Sequence, residues 1–277
     1  MSTYKEYIKF CQSLQDAAVQ VYSVEKAVAC KDDLSKQFVV LKHDVEAKLE
    51  KAVRISEIES RYGIKSTYYV HAFFLQNPKN IIMLKQIADL GHEIGYHYDV
   101  LDANDGDREK AVKEFTEAIS RFADNGFVIK TVCPHGNPLK KRVGYSSNKD
   151  FFLDPSIREA FSNIVDVYIT FPELVANKYL YITDAKYSYF YRDAQTTKTD
   201  ATEELIPLNG QDEIISRIKD GNSMVISTHT HRYFSFVLFE RIRIYLYEII
   251  KIVSRILYKT SMGKRVINKF YYLAKKI

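Results

Sequence analysis

The histidines of this chain recur where apolar, strand-like runs end. Six of the seven stand at or just past the carboxyl end of such a run: His43, His71, His97, His135, His229 and His231. Asp44 and Asp184 occupy equivalent positions, whereas His92 comes at the start of its run. Neutral imidazoles, a carboxylate and an open position for water are what a zinc-type divalent metal needs. Such a metal lowers the pKa of bound water towards about 7 and polarises a carbonyl, as hydrolysis of an amide or ester requires.

These positions share one edge of a sheet if the strands are parallel. The predicted strands cover 38–41, 66–70, 93–96, 128–133, 165–170, 179–183 and 223–227. Helical patterns lie between them at 47–62, 78–90, 108–125 and 212–219. This alternation predicts an α/β fold with a parallel sheet, open or closed into a barrel. Taken singly, each histidine can be explained as a hydrogen-bonded loop residue rather than a functional one. Taken together they indicate a site, because ligands and catalytic groups gather at the carboxyl edge of such sheets.

The composition restricts the class of protein. With 277 residues, 46% hydrophobic and 27% charged, the chain can bury a full core in one domain and is neither fibrous nor largely disordered. Three widely spaced cysteines without CxxC spacing suit a reduced compartment. Charges near the N-terminus and the lack of a long apolar run favour a cytoplasmic protein. The sequence has no Gly-x-Ser-x-Gly elbow and no glycine-rich phosphate loop, which argues against serine hydrolases, kinases and dinucleotide enzymes.

A basic tail follows the predicted site domain, which we place at 1–234. The tail, 235–277, holds ten Lys and Arg against two Glu; it contributes +8 to the net charge of +5 and leaves −3 for the rest. Its apolar residues recur at steps of three and four, which predicts amphipathic helices. Two interpretations stay open: the helices pack on the domain, or they form a surface for anionic membrane lipid or a partner protein. Nucleic-acid binding by the whole domain is not expected.

Five short motifs follow one another along the chain. They read VVLKHDVE at 39–46, GHEIGYH at 91–97, PHGNP at 134–138, YITD at 181–184 and STH at 227–229. In this order they resemble the motifs of the polysaccharide deacetylase (NodB-homology) family, over most of the chain. The second is the most specific, because in that family Gly-His-Glu-Ile-Gly leads to the first metal-binding histidine.

The resemblance implies a distorted (β/α) barrel, here with C-terminal basic helices, that removes an acetyl group from an N-acetylated sugar with a divalent metal, above all zinc. Asp44 matches the metal-binding aspartate of the family and His97 its first metal histidine. His229 matches the histidine that protonates the leaving amine. Without an export signal, a glycan precursor made at the inner membrane face is the expected substrate class.

Three departures from the family pattern concern the site. His43 stands in place of the catalytic-base aspartate; with a pKa of about 6.5, imidazole can act as the base, or it can orient Asp44. Leu101 stands in place of the second metal histidine, and leucine cannot bind a metal. The candidates for a third ligand are His135, which we assign to the metal, Asp99 and His229. The third motif also lacks the arginine and tyrosine of the family.

Further polar residues near the motifs are candidates for contacting substrate or for orienting the ligands. These are Asp99, Asn137, Asp184, His231 and Arg232. Asp184 is suited to orient a histidine, and Arg232 either contacts an anionic group of the substrate or is solvated. Glu46 is as readily a helix N-terminal carboxylate as a ligand, and we expect His71 to be structural or to contact substrate.

The same departures motivate a second hypothesis from another class of protein. It is a catalytically silent barrel that binds glycan or partner proteins in surface-polysaccharide assembly. A third hypothesis keeps the metal but cleaves another bond. Metal content separates the first two hypotheses, since a silent binding protein has no need to hold a metal.

Overall fold

The computed structural model describes residues 3–34, 37–137, 140–175, 179–184, 188–193 and 205–235. Apart from its first residue, the predicted basic tail, 235–277, lies outside the described residues. Within the described ranges, no helix combines the length and the apolar character needed to cross a lipid bilayer. All three cysteines lie within these ranges and are free thiols.

A single mixed sheet runs through the described residues. Its strands are β1 (Gln20–Tyr22), β2 (Phe38–Val45), β3 (Thr67–Val70), β4 (Glu93–Tyr98), β5 (Thr131–Pro134), β6 (Val165–Asp166), β7 (Leu180–Thr183), β8 (Phe190–Asp193), β9 (Ile206–Pro207) and β10 (Met224–His229). Their spatial order is β6-β5-β4-β3-β2-β10-β7-β8-β9, with β1 paired beside β2. Antiparallel pairing is confined to β7–β8 and β8–β9. Strands β2 to β7 and β10 therefore present their carboxyl ends at one common edge.

Helices cover the sheet and connect its strands. Those in the described residues are α1 (Tyr4–Asp16), α2 (Val24–Ala29), α3 (Leu49–Arg61), α4 (Pro78–Asp89), α5 (Val100–Ala103), α6 (Arg108–Asp124), α7 (Asp150–Leu153), α8 (Pro155–Ala160), α9 (Thr170–Leu174) and α10 (Gln211–Lys219). Helix α6 illustrates why they form. The Asp107 side chain caps it by accepting the backbone N–H of Lys110. Its buried residues recur at steps of three and four, which gives one apolar face for the sheet: Ala111, Phe115, Ala118 and Phe122.

Strand β2 shows how the sheet separates two layers. All eight of its residues are buried, and successive side chains point to opposite faces. Val39 and Leu41 join the larger apolar cluster on the outer face, where helices α1, α3, α4, α6 and α10 pack. Phe38 and Val40 join a smaller cluster on the inner face. Residues 42, 44 and 46 continue the inner row towards the carboxyl edge, so this row sets which polar residues of β2 face the site.

The predicted strands and helices are confirmed, with shifted ends. Each predicted strand and each predicted helix has a counterpart among the elements above. The prediction at 165–170 is the least accurate, because β6 holds only Val165–Asp166 and helix α9 begins at Thr170. The α/β class with parallel strands is confirmed. The strand path ends at β6 on one side and β9 on the other, and among the described residues these two edges do not pair to close a ring.

Gly95, in the most specific of the five motifs, allows the inner face to pack. A Cβ atom at this position would lie 2.5 Å from the ring of Tyr69 on β3 and 3.0 Å from the carbonyl oxygen of Thr131 on β5. The Tyr69 hydroxyl and Thr131 Oγ1 are hydrogen-bonded at 2.9 Å. This glycine therefore serves the packing of three adjacent strands beneath the site rather than the chemistry of the site.

Candidate metal and catalytic site

Three histidines converge at the carboxyl edge of adjacent strands. His71 follows β3, His97 lies in β4 and His135 follows β5. Their ring centroids are 4.8, 4.8 and 5.2 Å apart, and one ring nitrogen of each lies within 4.8 Å of the other two. All three side chains are buried. The alternation of side chains along each strand brings them together, since each takes the inner face of its own strand. We call this group the three-histidine cluster.

The three-histidine cluster fits a divalent metal of the zinc type. A metal–nitrogen distance of about 2.1 Å with tetrahedral angles places ligand nitrogens about 3.4 Å apart, which a small contraction of the cluster would reach. His97 Nδ1 lies 2.9 Å from the carbonyl oxygen of Cys133, so Nδ1 donates and Nε2 keeps the lone pair that a metal needs. Burial lowers the pKa of His97, which keeps the imidazole in the neutral form required for ligation.

A second polar group joins strand β10 to the residue after β7. Asp184 Oδ1 lies 2.5 Å from His229 Nδ1, and Asp184 Oδ2 accepts the backbone N–H of His229 at 3.0 Å. Arg232 Nη1 donates to Asp184 Oδ1 at 3.0 Å. Burial alone would lower the pKa of His229, but the adjacent Asp184 carboxylate outweighs it and raises that pKa to about 9. His229 is therefore an imidazolium at neutral pH, with an Nε2–H that Asp184 does not use.

Glu46 lies between these two groups. Its Oε1 atom is 3.5 Å from His135 Nε2 and 3.5 Å from His229 Nε2. Burial would raise the pKa of Glu46, but the hydrogen bond and the charge of His229 hold it well below the usual range. The Glu46 side chain is 30% exposed, against 10% for Asp184, so water can reach this ionised carboxylate.

Asp44, the predicted metal aspartate, lies on the inner face and pairs with a lysine. In the sheet register it is opposite His229. Its two carboxylate oxygens accept from Lys42 Nζ at 2.9 and 3.1 Å. Asp44 also belongs to a second set of possible ligands, with His97 and Cys133, whose atoms lie within 4.8 Å of one another. The structure therefore offers two overlapping candidate metal sites that share His97.

His43, the predicted base, lies on the opposite face of β2. Its Nδ1 is 2.7 Å from Thr228 Oγ1 on β10, and its Nε2 is 2.7 Å from Glu59 Oε1 on helix α3. The side chain is fully buried. Because neighbouring residues of a strand point to opposite faces, His43 and Asp44 cannot both face the three-histidine cluster. The predicted base His43 thus contacts Thr228 and Glu59 on the outer face, so its action beside the metal ligands stays a prediction without support from its contacts.

Asp99 and Leu101 follow strand β4 at the rim of the cluster. Asp99 Oδ2 lies 4.0 Å from His135 Nδ1, beyond hydrogen-bond distance, so this carboxylate is near His135 and outside the set of three imidazoles. Leu101, at the position of the second metal histidine of the family, is buried in the outer apolar cluster. The structure therefore brings His71 and His135, not a residue of helix α5, to complete a set with His97.

The remaining predicted residues brace the surroundings of the site. The carbonyl oxygen of Asn137 accepts a hydrogen bond from Arg142 at 2.9 Å, which ties down the loop after His135. The ring centroid of His231 lies 5.7 Å from that of His229. Burial lowers the pKa of His231 to about 3, so its imidazole is neutral beside the charged His229.

Three residues of this edge are not recognisable as site residues from the motifs alone. Lys42 has no counterpart role there, His71 is predicted to be structural or to contact substrate, and Glu46 is predicted to be either a ligand or a helix carboxylate. The signal that identifies two of them is the period of two on β2, because residues 42, 44 and 46 must share one face if Asp44 faces the site. For His71 the signal is its position after β3, which neighbours β4 in the sheet.

No protein-family model and no curated protein matches the sequence. Structure comparison finds similar proteins in CE4, the carbohydrate esterase family of the NodB-type polysaccharide deacetylases. A mutant of a CE4 pseudoenzyme with restored enzymatic activity matches with a TM-score of 0.43 and 14% identity, over 72% of this chain and 62% of that one. For a CE4 esterase of Streptococcus mutans the TM-score is 0.43 and the identity 16%, over 75% of this chain and 92% of that one. A family 4 carbohydrate esterase of Streptomyces lividans, in complex with acetate, matches with a TM-score of 0.41 and 16% identity, over 70% of this chain and 79% of that one.

Proposed function

We propose that this chain is a metal-dependent hydrolase that removes an acetyl group from an N-acetylated sugar or glycan precursor. The observation that carries the proposal is the meeting, at one sheet edge, of the three-histidine cluster with the Asp184–His229 pair, with Glu46 between them. A metal-ligand set, an ionised carboxylate and a protonated imidazole are the groups that hydrolysis of an unactivated amide needs.

His71, His97 and His135 are the residues that would hold the metal. Three imidazole nitrogens from adjacent strands suit zinc, which we propose as the native ion. When bound, zinc supplies Lewis acidity, which polarises the acyl carbonyl and activates water. The Asp99 carboxylate, 4.0 Å from His135 Nδ1, adds a negative charge beside the proposed ligands.

The proton transfers fall to Glu46 and His229. Glu46 Oε1 takes a proton from water as the water oxygen bonds to the acyl carbon. His229 Nε2–H gives its proton to the amine nitrogen as the carbon–nitrogen bond breaks, so acetate and a free amine are the products. Because Glu46 Oε1 and His229 Nε2 are 3.5 Å apart, the proton gained by Glu46 can pass back to His229 and restore both groups.

Asp184 and Arg232 keep His229 ready for this transfer. Asp184 holds His229 Nδ1 at 2.5 Å and so directs the opposite nitrogen towards Glu46. Arg232 donates to the Asp184 carboxylate at 3.0 Å, which orients Asp184 in turn. The pair therefore favours both the charged form and one orientation of the imidazole, the two conditions for a general acid.

The first test is the metal content of the purified chain and of His97→Ala, measured by mass spectrometry of the elements. We expect close to one zinc or other divalent ion per wild-type chain and almost none in the variant. Changes in residues that only orient ligands already weaken metal binding about 10- to 100-fold, so the loss of a ligand should weaken it at least as much. Release of acetate from N-acetylated sugar oligomers should fall with the metal.

A matched control is His92→Asn, which removes a buried histidine that lies on the outer face of the sheet. There, His92 Nε2 is hydrogen-bonded to the carbonyl oxygen of Ser56 at 3.1 Å. This variant should keep its metal if it folds, as its thermal unfolding would show. A wild-type chain that holds no divalent metal, even after incubation with zinc, cobalt, manganese or nickel, would contradict the proposed hydrolase. The catalytically silent, glycan- or partner-binding barrel would then be the better hypothesis.

The proposal for the basic tail is separate, because 236–277 lies outside the described residues. We propose that this segment docks on anionic lipid at the inner membrane face, since clustered Lys and Arg beside apolar stripes favour that surface. Deleting 236–277 should abolish co-sedimentation with vesicles that contain anionic lipid. Equal sedimentation of the full and the shortened chain would rule the membrane proposal out.

A further inference from the structure

A buried lysine lies on the same face of the sheet as the three-histidine cluster. Lys42, on the inner row of β2, has no exposed surface. Its Nζ atom donates to both oxygens of Asp44, at 2.9 and 3.1 Å, and lies 3.4 Å from Cys133 Sγ. The same atom lies 5.4 Å from the ring centroid of Tyr69 and 5.6 Å from that of Tyr168. A buried ammonium group is tolerated only with a carboxylate and aromatic faces around it, and both are present here.

The surroundings of Asp44 are complete without a metal. Besides the two hydrogen bonds from Lys42, Asp44 Oδ2 accepts from Ser227 Oγ at 3.3 Å, and Cys133 Sγ lies 3.7 Å from Oδ1. Burial would lower the pKa of Lys42, but the Asp44 charge outweighs it and raises that pKa well above its usual value. The lysine is thus a permanent positive charge on this carboxylate.

This arrangement decides between the two overlapping metal sites. In the set of Asp44, His97 and Cys133, two of the three members already lie within 3.4 Å of the lysine ammonium. A divalent ion bound among them would sit beside a like charge in a buried environment, where repulsion is little screened.

We infer that Lys42 is the resident cation of the Asp44 carboxylate and withholds Asp44 from the metal, which is held by the three-histidine cluster without it. The inference rests on the proposed metal site and departs from the role that motif resemblance implies for Asp44. Lys42 is accordingly a positioning residue: it neutralises Asp44 and holds it below the cluster. A site of three imidazoles without a carboxylate ligand would leave a divalent ion more of its charge to polarise a carbonyl.

The test compares zinc affinity, by competition with a chromophoric chelator, in metal-free wild type, Lys42→Met, and the double variant Lys42→Met with Asp44→Asn. The double variant removes the ion pair with nearly equal side-chain volume and leaves no buried charge unpaired. We expect it to bind zinc within about 3-fold of wild type, because no ligand is lost. Lys42→Met should bind zinc at least about 10-fold more tightly, because a buried carboxylate without its counter-ion becomes a metal ligand.

Absorption spectra of the cobalt-loaded proteins give a second measurement. The double variant should keep the wild-type cobalt spectrum, whereas Lys42→Met should show a new one, since an oxygen ligand is added. Loss of zinc from the double variant, when wild type retains it, would overturn the inference and make Asp44 a ligand. If wild type binds no zinc, the proposed function fails, and with it the claim that the three-histidine cluster holds the metal. Zinc binding gained in Lys42→Met would then support the remaining claim, that Lys42 withholds Asp44 from a metal, and no gain would overturn that claim as well.

Discussion

Replacing His229 by alanine should lower kcat for acetate release from an N-acetylated sugar oligomer by about 10²- to 10⁴-fold, the usual contribution of a general acid. The amine of an amide is a poor leaving group and must be protonated as it departs. His229 is placed for this because the Asp184 carboxylate keeps it charged, with its pKa raised to about 9 in spite of burial. Metal content should not change, since His229 lies outside the three-histidine cluster. Steady-state kinetics and metal analysis on the same preparations check both statements.

The leaving group distinguishes a general acid from a residue that only supports the fold. A nitrophenyl acetate releases a phenolate that needs no proton, so His229→Ala should hydrolyse this ester with a much smaller loss than the amide. Asp184→Asn should fall between wild type and His229→Ala on the amide, because its neutral side chain no longer holds the proton on His229. Equal losses on amide and ester, or unchanged amide turnover, would exclude His229 as the acid.

The sequence predicted the strands and the edge that carries the site because those features depend on simple periods. Apolar runs bounded by glycines mark the strands, and alternation with helices implies parallel pairing, which brings the strand ends together. His97 and His229 were therefore placed correctly at one edge from their positions alone. Which neighbours meet also depends on strand order, and the sheet puts β3, β4 and β5 side by side. That order brings His71 to His97, which spacing along the chain does not reveal.

The site residues chosen from the motifs differ from those that meet in the structure mainly because of the direction of side chains. His43 and Asp44 are adjacent on one strand, and motif matching assigned both to the site, although a strand sends adjacent residues to opposite faces. The period of two along β2 allows one of two sets of side chains to face the site: residues 42, 44 and 46, or residues 43 and 45. The buried ion pair of Lys42 and Asp44 was harder to foresee, because lysine is almost never fully buried without a partner and nothing in the local sequence fixes that partner.

The partner of His43 on the outer face, Glu59, leads to the second prediction of large effect. Glu59, on helix α3, is fully buried. Its Oε1 accepts from Tyr7 Oη and lies 2.7 Å from His43 Nε2, while its Oε2 accepts from Ser66 Oγ and Tyr68 Oη at 2.7 Å each. One carboxylate thus joins helices α1 and α3 to strands β2 and β3. Breaking such a buried network leaves donors without acceptors, so Glu59→Gln should lower the free energy of unfolding at pH 7 by about 3 kcal/mol.

The stabilisation by Glu59 should also depend on pH, with a change in the free energy of unfolding of similar size. Burial would raise the pKa of Glu59, but the neighbouring His43 and the hydrogen bonds outweigh it and lower that pKa from 4.5 to about 2. A carboxyl group whose pKa is lower in the folded than in the unfolded chain stabilises the fold above the unfolded value. That stabilisation, about 3 kcal/mol, is lost as the pH falls from about 4.5 to about 2. The difference in unfolding free energy between wild type and Glu59→Gln should therefore shrink across this window.

Glu57→Gln is the matched control, because Glu57 is on the same helix and exposed, and its replacement should change stability by less than about 0.5 kcal/mol. Chemical unfolding of all three proteins at pH 7 and at acidic pH gives the comparison. If Glu59→Gln is as stable as wild type at pH 7, the Glu59 network does not stabilise the fold and the prediction fails. A loss of stability that shrinks at acidic pH would assign His43, whose Nε2 lies 2.7 Å from Glu59 Oε1, to the network that supports the sheet.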